Sequence, residues 1–230
     1  MRLTFGSYNI HKAVGADGRH DADRIIRVLH ELDADVVALQ EADLRFGTRA
    51  AVLPRGLLAE SHWQIAPLAS RPGGMGWHGN AILVRRGIAI IDAAPIELPS
   101  LEPRGAVQAR LVKDGREFVV AGTHLDLSGL LRRRQIKAVC DVLEAAGSPA
   151  VIMGDLNEWS ARDGALRAFG AGWNVLNPGS SFPSRRPLAS LDRIVHTNHW
   201  RCIVTKVHHS AVAVRASDHL PVGAVLELGA

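Results

Sequence analysis

The chain has 230 residues, 47% hydrophobic and 22% charged, which excludes an extended disordered protein and leaves enough length to bury a substantial core. Its formal net charge of +4 favours anionic partners such as nucleic acid, acidic lipid heads or small phosphates, yet the arginine groups at 132–134, 85–86 and 185–186 each read as solvated faces when taken alone. The opening "MRLTFGSYNI" carries no apolar leader and no later run is apolar for a bilayer's thickness, so a cytoplasmic location without a transmembrane segment is expected.

In chain order, short apolar or alternating runs predict strands at Leu3–Ile10, Val36–Gln40, Ala81–Val84, Ile88–Ala94, Ala106–Val112, Glu117–Thr123, Ala150–Met153, Leu191–Val195, Ile203–Val207 and Val222–Leu228. Helical spacing appears in "DADRIIRVLHELD", where Ile25, Ile26, Leu29 and Leu32 share a face, and in "LLRRRQIKAVCDVLEAAG", which closes on Gly147. A third helix is expected over about Arg162–Phe169. Cys140 in the second helix and Cys202 in a strand are too few for a disulfide framework or zinc site and read as buried free thiols. Many strands with few helices, some in hairpin succession, point to mixed sheets rather than a doubly wound parallel sheet. No repeat of fixed period and no linker interrupts the chain, so one domain over 1–230 is expected.

Polar residues gather where the apolar runs end, the place where loops build sites. Asn9 closes "SYNIH" and Glu41 closes "DVVALQE"; an amide and a carboxylate at two strand ends offer oxygen ligands to a hard cation. "EFVVAGTHLD" delivers His124, and "PAVIMGDLNEW" delivers Asp155 and Asn157 two residues apart. A carboxylate followed by an amide at that spacing suits holding a water beside an oxyanion. "SLDRIV" supplies Asp192, and "ASDHLP" supplies Asp218 and His219. An imidazole acting at phosphorus needs its tautomer fixed by a carboxylate, and Asp192 from another strand is the natural orienter of His219.

With "GNAILV" and "THL" added, these motifs follow the order and approximate spacing of the endonuclease/exonuclease/phosphatase superfamily of DNase I-like nucleases, abasic-site endonucleases, sphingomyelinases and inositol-polyphosphate phosphatases, which the chain resembles from Asn9 to His219. The resemblance implies an α/β (α+β) fold, a four-layer αββα sandwich of two packed mixed β-sheets, with Mg²⁺ or Mn²⁺ as cofactor. It implies Glu41 as principal metal ligand with Asn9 and Asp218 beside it. It further implies catalytic roles for His124, Asp155, Asn157, Asp192 and His219, and phosphate contacts from Arg104 and Asn80. His124 stands where abasic-site enzymes carry Tyr, which departs from that branch.

"GMGWHG" has the spacing of a dinucleotide loop but precedes a strand, which rejects that reading. The same loop, "RPGGMGWHGN", is expected as a flexible rim whose Met75, Trp77 and His78 contact substrate, against the alternative that Trp77 packs beneath its own loop. Trp159, and Phe182 with Arg185 and Arg186, are candidates for shaping the cleft, and His196, His199, His208 and His209 read as surface or structural residues. The reading is a metal-dependent phosphoester hydrolase, a phosphodiesterase, acting on an anionic substrate, nucleic acid or a phospholipid or other small diester, with no obligate protein partner. The alternative is a catalytically inactive phosphate- or nucleic-acid-binding module.

Overall fold

The alternation of apolar residues in the strands sorts the molecule into layers. In β2 (Val36–Gln40), Val36 and Ala38 face one core while Val37 and Leu39 face another, so this strand is covered on both sides. In β7 (Arg116–His124), Phe118 and Val120 join the core that receives Val36, whereas Val119 and Ala121 join a third core. The shared core therefore lies between two sheets, and each outer core lies under helices, giving the expected αββα layering. The computed structural model describes the chain apart from residues 46, 49, 69–72, 101–103, 162 and 230 and the side chain of residue 59.

One six-stranded sheet has the order β11-β12-β1-β2-β4-β3 and the other β5-β6-β7-β8-β10-β9. The first sheet holds β1 (Arg2–Asn9), β2, β3 (Trp63–Ile65), β4 (Ala81–Arg85), β11 (Trp200–Val207) and β12 (Val222–Leu228). The second holds β5 (Ala89–Ile96), β6 (Ala106–Lys113), β7, β8 (Ala150–Asp155), β9 (Trp173–Leu176) and β10 (Asp192–Thr197). Each has a parallel pair at its centre, β1 with β2 and β7 with β8, joined by α1 (Ala22–Leu32) and α3 (Gly129–Ala145) respectively. The two sheets thus share one plan. The sequence shows no period because the plan is permuted: the hairpin β11–β12 that completes the first sheet comes last in the chain.

The side chain of Asp21 accepts from Arg24 N at 3.1 Å and caps α1, which ends on Asp33 in the left-handed region. Gly147, at φ +66°, follows α3. Between the sheets, Phe5, Phe118 and Trp200 meet edge to face with ring centroids 5.3–6.2 Å apart. Toward the opposite end Gly122 lets the sheets close, since a Cβ there would lie 3.1 Å from that of Ala38.

Several expectations change. The third helix is a 3₁₀ turn over Gly164–Ala168, and its expected start at residue 162 lies outside the described residues. The edge strands β3 and β9 and the short helices α2 (Arg55–Ala59) and α4 (Ala213–Ala216) are too brief to show a period. Cys140 is buried, but Cys202, on an edge strand, is only partly so. Arg132 is not a solvated charge: it is buried and ion-paired to buried Glu158 at 3.3 Å. Among the described residues no helix is long and apolar enough to cross a membrane.

Candidate active site

The carboxyl ends of β1 and β2 and those of β7 and β8 meet at one end of the sandwich, the position at which parallel strands present ligand-binding loops. Asn9 ends β1, His124 ends β7, Asp155 ends β8, and Asp192 begins antiparallel β10 opposite Asp155. His219 lies in the segment between α4 and β12.

Asp155 is the hub of the cluster. One oxygen, Oδ2, accepts from Asn9 Nδ2 at 3.1 Å and lies 3.5 Å from His124 Nε2 and 3.7 Å from His219 Nε2. The other, Oδ1, accepts from the backbone N–H of Asn157 at 2.9 Å. That i to i+2 bond is an Asx-turn, and it places Asn157 at φ +50°, a conformation Asn tolerates. The Asn157 amide donates to Leu125 O at 2.9 Å. The preceding glycine is required sterically, because a Cβ on Gly154 would overlap the Thr123 carbonyl oxygen. These contacts give the "GDLN" spacing its physical reason.

Asp192 has no solvent exposure and accepts at Oδ2 from His219 Nδ1 at 2.9 Å and from Ser181 Oγ at 2.5 Å. Burial pushes the His219 imidazole down, but the carboxylates of Asp192 and Asp155, the Asp192 hydrogen bond and Asp218 raise it to about 10. His219 is therefore cationic at neutral pH. His124 behaves in the opposite way: burial lowers it to about 3, against the pull of Asp155 and with the help of the cations Arg104, His219 and Lys12. One buried histidine is neutral and the other charged, on either side of one carboxylate.

Glu41 follows β2 at φ +56°, and Lys12 sits at φ +55° between His11 and Ala13, which are also left-handed. Such a run of non-glycine residues is sparsely populated and held by its surroundings. The Lys12 ammonium pairs with the Glu41 carboxylate. Asp218 is partly exposed, 3.8 Å from His11 Nδ1. Glu41, Asn9 and Asp218 offer oxygen donors of the kind a hard divalent cation takes; Asn9 Oδ1 accepts from His11 N at 3.1 Å, and the ammonium against Glu41 shows that positive charge is held at that carboxylate. Asp155, Asp192 and His219 also bring ligand-type atoms within 4.8 Å of one another, but the imidazole hydrogen bond already joins two of them.

The expected phosphate-contact residues divide. Arg104 donates to Leu125 O at 2.9 Å, and its charge is felt at His124. Asn80 is fully buried and clamps the turn at 77–80 by donating to Gly105 O at 3.0 Å. Trp77 packs against the inter-sheet core and the Gly105 backbone, and its ring stands 4.8 Å from that of His78. Met75 is not on a rim: it is buried in the core beneath α1, with its N–H held by Asp43 Oδ1 at 2.7 Å. Residues 71–72 of that loop lie outside the described ones.

Sequence reasoning passed over three contributors. Lys12 directly follows the "SYNIH" motif, so its charge beside Asn9 was the available signal. Ser181 and Ser217 gave none. Ser217 Oγ donates to Asn9 O at 2.7 Å and accepts from His219 N at 3.2 Å, fixing the relation of those two residues through backbone contacts that residue type does not announce. His208 bonds Glu31 at 2.7 Å and buried His196 bonds Thr197 O at 2.9 Å, outside the cluster.

The chain is 27% identical, over 96% of its length and 94% of the relative's, to the uncharacterized protein YbhP of Escherichia coli K12. It shares its fold with the mannosyl-6-phosphatase of Bacteroides thetaiotaomicron, at a TM-score of 0.78 with 19% identity, covering 98% of this chain and 100% of that one. It also shares it with D. rerio TDP2 complexed with a single-strand DNA product, at 0.77 with 16% identity, covering 98% and 99%. The model of the Endonuclease/Exonuclease/phosphatase family, whose members hydrolyse phosphoester bonds, matches residues 6–219. Together with the carboxylate and histidine cluster at the strand ends, that match over nearly the whole chain makes this protein a member of the Endonuclease/Exonuclease/phosphatase family.

Proposed function

We propose that the protein is a divalent-metal-dependent phosphodiesterase that cleaves a P–O bond by in-line attack of water. The observation that carries this reading is the Asp155 carboxylate, fixed by Asn9 and Asn157 between a neutral and a cationic histidine. Asp155 takes the proton of the attacking water. His219, oriented and kept charged by Asp192, directs Nε2–H at a phosphoryl oxygen and offsets the charge that develops there. His124 contributes a neutral imidazole, and the second amide hydrogen of Asn157 serves the same oxygens. Glu41, Asn9 and Asp218 would hold Mg²⁺ or Mn²⁺, which supplies Lewis acidity toward the phosphate. The cationic histidine of the cleft is already matched by Asp192, which suits the single charge of a diester better than the double charge of a terminal phosphate.

The test is hydrolysis of bis(p-nitrophenyl) phosphate and p-nitrophenyl phosphate with Mg²⁺ or Mn²⁺. Turnover of the diester should exceed that of the monoester, and Asp155→Ala should lower it by about 10²- to 10⁴-fold, the range for a positioned proton-transfer group, and His219→Ala by about 10²- to 10³-fold, the range for a donor to developing charge. Near wild-type turnover in both variants would overturn the mechanism, and monoester preference would overturn the diester assignment.

A further inference from the structure

The four most exposed large apolar side chains among the described residues are Leu188 at 69%, Trp159 at 66%, Leu127 at 63% and Leu130 at 61%; the next are at 52%. Single exposed leucines need no explanation, but these four are not scattered. Leu127 and Leu130 follow β7, Trp159 follows β8, and Leu188 lies in the segment leading into β10, so all stand at the end of the sandwich that carries the cluster. Contacts join them. Phe182 faces the His219 ring at 4.8 Å and the Trp159 ring at 6.4 Å, and Leu188 N donates to Phe182 O at 2.8 Å. Arg132 donates to Leu127 O at 2.6 Å and pairs with Glu158, the neighbour of Trp159.

Two of the leucines, Leu130 and Leu188, also stand beside exposed arginines. Leu130 lies in the first turn of α3, and exposed Arg133 and Arg134 follow at i+3 and i+4, on the same helix face. Leu188 shares a turn, closed by the bridge between Phe182 and Ala189, with exposed Arg185 and Arg186. Protruding leucines add nothing against a phosphate backbone, which is contacted by cationic and polar groups. Leucine and tryptophan flanked by arginine match the interface of an anionic bilayer, where the apolar tips enter the acyl boundary and the guanidinium groups meet the head groups.

We propose that this rim docks the protein on an anionic phospholipid membrane and that the diester it cleaves is presented from that surface. The proposal rests on the phosphodiesterase reading for the identity of the substrate but not for the docking itself.

The experiment is co-sedimentation with phosphatidylglycerol and with phosphatidylcholine vesicles, on wild type, Leu127→Ser/Leu188→Ser and Asp155→Asn, with thermal unfolding as the control of fold. Wild type and Asp155→Asn should bind phosphatidylglycerol and not phosphatidylcholine. The double serine variant should bind at least about ten-fold more weakly, as expected when two exposed leucines lose a buried site, with an unchanged melting temperature. Equal binding by wild type and the double variant, or binding of single-stranded or duplex DNA in place of vesicles, overturns the docking. Failure to hydrolyse bis(p-nitrophenyl) phosphate while vesicle binding persists would instead remove the phosphodiesterase reading and leave the membrane surface standing.

Discussion

The Asn9 amide on β1 donates to the Asp155 carboxylate on β8 across 3.1 Å, a hydrogen bond between strands of different sheets. Both residues are buried, so this bond to a charged acceptor contributes about 1.5–3 kcal/mol. Asn9→Ala should lower the urea-unfolding free energy at pH 7 by that amount and cut hydrolysis with it. A change under about 0.5 kcal/mol would show that Asp155 is held without Asn9.

The two histidines impose opposite pH dependences on stability. His219 is raised to about 10, above its ordinary value, so its contribution is complete below pH ~6.5 and lost as the pH climbs through about 10. His124 is lowered to about 3, so its contribution is complete above pH ~6.5 and lost as the pH falls toward about 3. In chelator-treated protein, His219→Gln should flatten the alkaline side of the profile and His124→Gln the acid side. Parallel profiles for both variants and wild type would refute the assignment.

Lys12 occupies the Glu41 carboxylate that a divalent cation would take. Lys12→Met removes both the competitor and the like charge, so Mn²⁺ should bind the resting protein about three- to ten-fold more tightly by electron paramagnetic resonance titration. Unchanged or weaker binding would separate Lys12 from the metal site.

The Arg132–Glu158 pair is buried, and Glu158 also accepts from Ala165 N at 2.7 Å and Ser160 N at 2.9 Å. Arg132→Met leaves a buried carboxylate without its cation and should cost about 3–5 kcal/mol, a fall in Tm on the order of 10 °C. Adding Glu158→Gln should recover much of it. Equal losses in the single and double variants would show that the pair itself contributes little.

What the sequence revealed follows from how locally each feature is encoded. The strands carrying Val36–Gln40 and Ala150–Met153 advertise themselves because both faces are covered, and the pairing of Asp192 with His219 follows from what an imidazole requires. β3 and β9 stay hidden because three or four residues on a sheet edge have no room for a pattern. Met75 reads as a loop residue, since its burial depends on Asp43 and a helix far away in the chain. Arg132 reads as one of three equivalent arginines, and only its distance to Glu158 sets it apart. The exposed prongs at Leu127, Leu130 and Leu188 are invisible in sequence, where a leucine normally announces a core.

The bond from Asn9 to Asp155 and that from His219 to Asp192 both cross from one sheet's half of the chain to the other's. The proposed reactive geometry therefore belongs to the seam and to neither half by itself. A slip of an ångström between the halves leaves every strand ladder intact yet costs about a hundred-fold in rate. Catalysis should accordingly fade before circular dichroism changes as the protein is warmed, making turnover a gauge of how tightly the sandwich is shut.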